Sequence, residues 1–105
     1  MKKQKDKCLA TIKINKEQYS IRATFHSLER MEQRKIDEYV ITGNILALGE
    51  ETLKELQRTQ EEAIIIDETT NSSVVIGFKK NTIKVITVIN KSNVFVKSNT
   101  RIERI

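Results

Sequence analysis

The chain has 105 residues, 38% of them apolar and 31% charged, with a net charge of +5. That length suits one domain with a modest core, and the basic balance favours polyanionic partners. One cysteine and one histidine exclude an internal disulfide and the usual Cys/His metal centre, and no apolar run approaches the length of a membrane helix.

The basic start, Lys2, Lys3, Lys5 and Lys7, is interrupted by Asp6 and leads into an alternating segment instead of a continuous apolar run. Without a signal-peptide pattern the expected compartment is the cytoplasm. Cys8 to Ile14 alternates at the period of a half-buried strand, with Cys8, Ala10, Ile12 and Ile14 on one face, and Glu17 to Phe25 does so through Tyr19, Ile21, Ala23 and Phe25. The polar pair Asn15-Lys16 between them predicts a hairpin. Cys8, heading a strand-like run, reads as a small buried hydrophobe and not as a nucleophile.

Thr24 to Val40 follows, and it holds the only histidine. At about 3.6 residues per turn, Phe25, Leu28 and Met31 form a packing stripe, while His26, Arg30 and Arg34 recur every fourth residue on roughly the opposite side. Thr24 is a fitting N-cap, which places His26 in the first turn. There the helix dipole disfavours the imidazolium, so a neutral, proton-accepting histidine is expected, with Arg30 and Arg34 set to hold a phosphate or carboxylate. A row of His, Arg and Arg is equally the solvated face that any amphipathic helix turns to water.

Asp37 is a good N-cap for a second helix, with Val40 and Ile41 turned inward and Gly43-Asn44 as its stop. Ile45 to Leu48 is apolar and ambiguous. Glu50 to Glu62 favours helix by propensity, with only Leu53 and Leu56 able to pack. From Ala63 the period changes to two: Ala63 to Glu68, Ser73 to Lys79, Thr82 to Ile89 and Asn93 to Lys97 read as four strands of an antiparallel meander. Thr82 to Ile89, with Ile83, Val85 and Ile89 on one face and Ile86 and Val88 on the other, is expected to be the central, doubly covered strand. Thr100 to Ile105 is either a frayed tail or a final edge segment. The whole chain reads as a single domain, 1–105, with 1–7 and 99–105 as candidates for fraying.

Charge is unevenly spread. Residues 1–46 carry +4, residues 47–68 carry −5 and residues 69–105 carry +6. An acidic belt thus separates two basic regions, the second comprising Lys79, Lys80, Lys84, Lys91, Lys97, Arg101 and Arg104. If the early helices pack across the sheet, His26, Arg30 and Arg34 border these lysines in one basic cleft suited to RNA or DNA phosphates. Lysines at strand ends and turns also serve simply to protect sheet edges from pairing. Aromatic stacking platforms are poor: Phe78 and Phe95 suit a core, and Tyr19 and Tyr39 are the only phenols.

The run His26-Ser27-Leu28-Glu29-Arg30-Met31-Glu32-Gln33-Arg34-Lys35-Ile36-Asp37, followed by Val40, resembles the H-x-x-x-R-M-x-x-R-G-I-[S/D]-x-x-x-V pattern of a small bacterial domain-of-unknown-function family of mobile elements and phages. That family is similar to the BrnT-like and RelE-like toxins. Lys35 stands where the pattern usually has glycine, the residue suited to a left-handed helix C-cap. The resemblance implies an α+β, RelE/barnase-like toxin fold, in which an N-terminal hairpin or strand and two short helices precede a four-stranded antiparallel sheet. It also implies metal-independent endoribonuclease activity, with RNA as substrate and an antitoxin or host protein as partner, and no cofactor. In such cleavage the ribose 2′-hydroxyl attacks the adjacent phosphate. His26 is then general base or acid and Arg30 and Arg34 bind phosphate; Lys84, from the central strand, is an auxiliary cation added on its position alone. The alternative is a non-catalytic mobile-element protein that binds and regulates or inhibits a host protein, through the acidic belt or an open sheet edge.

Overall fold

The computed structural model describes residues 6–94 and 100–105. The elements run β1 (Lys7–Ile14), β2 (Glu17–Ala23), α1 (Phe25–Arg34), α2 (Glu38–Leu46), α3 (Glu50–Thr59), β3 (Ala63–Asp67), β4 (Ser72–Lys79), β5 (Thr82–Ile89) and β6 (Arg101–Arg104). The fold is α+β, with three helices and one six-stranded mixed sheet in the order β1-β2-β5-β4-β3-β6. The expected four-stranded antiparallel sheet is corrected on two counts. The N-terminal hairpin joins the same sheet through a parallel β2–β5 pairing, and β6 adds to the far edge parallel to β3.

Local chemistry explains the turns. Asn15 and Lys16 both sit at positive φ, the two-residue geometry whose twist matches antiparallel strands, and β1 and β2 pair around them. Thr24 and Asp37 are the N-caps of α1 and α2, accepting from Ser27 N–H and Tyr39 N–H. Gly43-Asn44 does not stop α2, which runs on to Leu46, because Asn44 and Ile45 are both buried there. Leu53 and Leu56 are the buried residues of α3.

The core lies between the helices and one sheet face. Met31, Ile41, Ile45, Leu53 and Leu56 from the helices form one cluster with alternate strand residues, among them Ile21, Ile65, Ile76, Ile83 and Val85. β5 is interior to the sheet, as expected, but its predicted phase holds only in part. Opposite Val75 and Ile76, β5 carries one extra residue, Ile86, a β-bulge that reverses the alternation beyond it. Val88 therefore joins Ile83 and Val85 in the core, and Ile89 does not. Gly77 makes the bulge tolerable, since a Cβ there would stand 3.1 Å from Ile86 Cδ1. On the face away from the helices, Lys84 alternates with the core residues, so β5 is not covered by helix on both sides.

Two further expectations change. Cys8 is exposed, because it stands opposite Arg22 on the face that carries no helix. Of the predicted strand Asn93–Lys97, Asn93 and Val94 are not in a strand and residues 95–97 lie outside the described residues. Of the candidates for fraying, Lys7 opens β1 and Arg101–Arg104 is the edge strand β6, while residues 1–5 and 99 lie outside the described residues. Arg101 of β6 bonds both Glu55 of α3 and Glu103, and Arg104 pairs with Glu68.

The exit from α1 shows a residue held against its preference. Lys35 adopts the left-handed conformation, φ 55°, and its N–H and that of Ile36 close the helix on Glu32 and Met31 carbonyls. The geometry that glycine usually provides is thus kept by a lysine, at a cost of about 1 kcal/mol. Lys35→Gly should raise unfolding stability by roughly that amount, up to about 1 kcal/mol, seen as a higher urea midpoint at unchanged m-value.

The Arg101 guanidinium, beside Glu55, holds that carboxyl below the usual glutamate range. A carboxyl lowered by folding contributes stability above its unfolded value and loses it as pH falls through the folded one. The gap in melting temperature between the native chain and Glu55→Gln should therefore be open at neutral pH and close as the pH falls below the usual glutamate range and the folded carboxyl takes up its proton.

Candidate functional site

Helix α1 begins where β2 ends, and one residue fixes the junction. Thr24 N–H donates to Val85 O at 3.3 Å, and its hydroxyl lies 3.3 Å from Val85 O and 3.5 Å from Ile86 O while accepting from Ser27 N–H at 3.1 Å. The Thr24 N–H bond to Val85 O continues the parallel β2–β5 ladder by one rung, and the Thr24 hydroxyl reaches the same carbonyl and that of the bulged Ile86. Buried Ser27 adds a bond from its hydroxyl to Thr24 O at 2.9 Å. The first turn of α1, with His26 in it, is thereby pinned to the middle of the sheet.

His26 is exposed and bonded to no backbone group among the described residues. Arg30 Nε–H points at His26 Nε2 from 3.5 Å, and its Nη1 donates to Gln33 Oε1 at 3.0 Å. Arg34 is half-buried, and its Nε is a buried polar atom without a protein partner among the described residues. The helix thus brings His26, Arg30 and Arg34 into one row along a single flank. Phe25, expected in the packing stripe, is 41% exposed instead, because Ser27 occupies the position that faces the sheet.

Lys84 does not join that row. It alternates with core residues Ile83 and Val85 and stands level with Arg22 and Gly77, on the sheet face opposite the helices. There Arg22 bonds the Asp6 carboxylate at 3.1 Å, and this guanidinium, with Lys84 as a lesser influence, holds Asp6 below the usual range. The single basic cleft is likewise not assembled. Lys79 and Lys80 lie at the β4–β5 turn, beside the start of β2 and away from His26, while Arg101 and Arg104 are engaged by carboxylates at the far edge. Lys97 lies outside the described residues.

The other flank of α1 carries a feature that the sequence left unmarked. An open cleft of about 640 Å³ lies between α1, α2 and β1, with Leu9, Ala10, Leu28, Met31 and Ile36 in its floor. Glu32, Asp37, Glu38, Tyr39 and Thr42 form its rim. The spacing of Glu32, Asp37 and Glu38 was the only available signal; their convergence depends on the left-handed exit at Lys35, which redirects the chain between α1 and α2. Among the described residues no three His, Cys, Asp or Glu side chains are grouped to hold a metal, and no helix is long and apolar enough to cross a membrane.

Comparison of the chain with family models, curated proteins and solved structures gives no match.

The pinning role of Thr24 is open to test. Thr24→Ala removes the cap acceptor and the hydroxyl bond to β5, and should cost about 1 kcal/mol. Thr24→Ser should recover most of it in urea unfolding, and exchange of the amides in the first turns of α1 should quicken in the alanine variant alone.

Proposed function

We propose that this chain is a metal-independent endoribonuclease of the RelE/BrnT-like toxin type, acting on RNA in the cytoplasm and held in check by a protein partner. The observation that carries this reading is the exposed His26 beside Arg30, in the first turn of a helix pinned to the sheet. In the proposed reaction the ribose 2′-oxygen forms a bond to phosphorus as His26 takes its proton, and the bond from phosphorus to the 5′-oxygen breaks. The departing oxygen takes a proton from water, leaving a 2′,3′-cyclic phosphate and a 5′-hydroxyl, and the His26 imidazolium returns its proton to solvent. Arg30 and Arg34 hold the phosphate and offset the charge that grows on its free oxygens. Lys84 is left out of this assignment, since the sheet separates it from the row.

An exposed imidazole with no backbone bond among the described residues is free to turn toward a substrate, and its neutral form is the one that acts as a general base. The motif resemblance around His26 supports the same reading, including the toxin-type fold.

The test is incubation of the purified chain with total RNA in chelator at low salt, beside His26→Ala. Fragments ending in 2′,3′-cyclic phosphate should form with the native chain and fall by about 10²-fold or more in the variant. Arg30→Ala and Arg34→Ala should each weaken RNA binding and reduce its salt dependence by about one counterion. Intact RNA in every sample of folded protein would overturn the reading and favour the non-catalytic, host-binding alternative.

A further inference from the structure

We infer that the cleft between α1, α2 and β1 is a docking groove for a basic amphipathic segment of another protein. Apolar side chains of that segment would seat on Leu9, Leu28 and Ile36, and its lysines or arginines on Glu32 and Asp37. The inference does not rest on the ribonuclease reading, because the groove occupies the flank of α1 turned away from the row of His26, Arg30 and Arg34.

Charge identifies the occupant. The whole chain carries +5, yet the residues that line the groove include three carboxylates and no lysine or arginine. A rim of that sign repels phosphate and selects a cation. The chain itself supplies an example, for Lys7 of β1 reaches across to pair with Glu38 at the same rim. Glu32 forms no ion pair among the described residues, and Asp37 commits one oxygen to the Tyr39 N–H at 2.7 Å while its other oxygen has no partner there. Both stand ready for further cations.

The apolar lining favours an amphipathic segment over a free cation. The cleft is open to solvent, and its floor is partly exposed apolar surface: Leu9, Leu28 and Ile36 are only half-buried while they pack on the core. At its mouth Tyr39 is 86% exposed, a flat amphipathic side chain of the type enriched in protein interfaces. Addition of a strand to β1 is the less suitable mode, since the extra residue Leu9 bulges that edge where the groove begins. An amphipathic helix laid in the groove, with its charged flanks on the rim, meets both demands.

The experiment uses the full chain and a fluorescein-labelled helical peptide of about 14 residues. It has leucines at i, i+3, i+4 and i+7 and lysines on the flanks; a twin has glutamates in their place. Anisotropy at low salt should show the lysine peptide binding about tenfold or more tightly than its twin, against the net charge of the protein. The double variant Glu32→Gln/Asp37→Asn should lose about that factor, with asparagine keeping the helix cap. Amide shifts in the native complex should centre on Leu28, Glu32, Ile36 and Tyr39, and His26→Ala should leave the affinity unchanged.

Equal or stronger binding of the glutamate twin overturns the proposal, as does affinity within about twofold in the double variant or a shift map centred on another face. Concentration-dependent dimerisation that moves the same cleft amides without peptide would assign the groove to a second copy and overturn it too. Failure of RNA cleavage bears only on the ribonuclease, because the peptide assay contains no RNA.

Discussion

The structure depends on the meeting of Thr24 with the bulged middle of β5. The last rung of the parallel β2–β5 ladder ends on Val85, next to the bulged Ile86, and the carbonyls of both lie within reach of Thr24 at the start of α1. Thr24 meets them with its N–H and hydroxyl while its hydroxyl oxygen also caps the helix. One side chain thereby sets where the first helix begins and over which strand it lies. The same extra residue, Ile86, reverses the alternation of β5, bringing Val88 into the core beneath the helices. Gly77 on the neighbouring strand provides the space that the displaced isoleucine needs.

Once α1 is fixed over β5, its two flanks acquire opposite characters. One presents His26, Arg30 and Arg34 in a row; the other, with residues of α2 and β1 across the cleft, presents an apolar floor under an acidic rim. Net charge alone would attract polyanions to the whole surface. Local arrangement separates a cationic flank from an anionic one across about 10 Å of helix, so an acidic and a basic partner need not compete for the same ground.

The sheet is completed by long-range parallel contacts that no turn encodes. β2 enters beside β5 only after three helices have carried the chain away and two hairpins have brought it back, and β6 closes the far edge against β3. A four-residue edge strand has little ladder of its own, and Arg101 joins it to α3 through Glu55 while also bonding Glu103. Arg104 and Glu68 form a second, more exposed pair on the same edge.

By itself the sequence determined what local chemistry controls. The period-two runs fixed β1 to β5 nearly to the residue, Thr24 and Asp37 marked two helix starts, Leu53 and Leu56 identified the packed side of α3, and the spacing of His26, Arg30 and Arg34 aligned them on one helix. Tertiary structure alone decided the rest. The parallel pairings rest on contacts between distant segments; the phase of β5 turns on one bulged residue that leaves no periodic mark; Lys84 is parted from His26 by the thickness of the sheet. The acidic rim forms only because Lys35 accepts a left-handed conformation and turns the chain from α1 into α2 across the cleft. Periodicity reports which face a residue shares with its near neighbours in the chain, whereas the partner of that face depends on where distant elements come to rest.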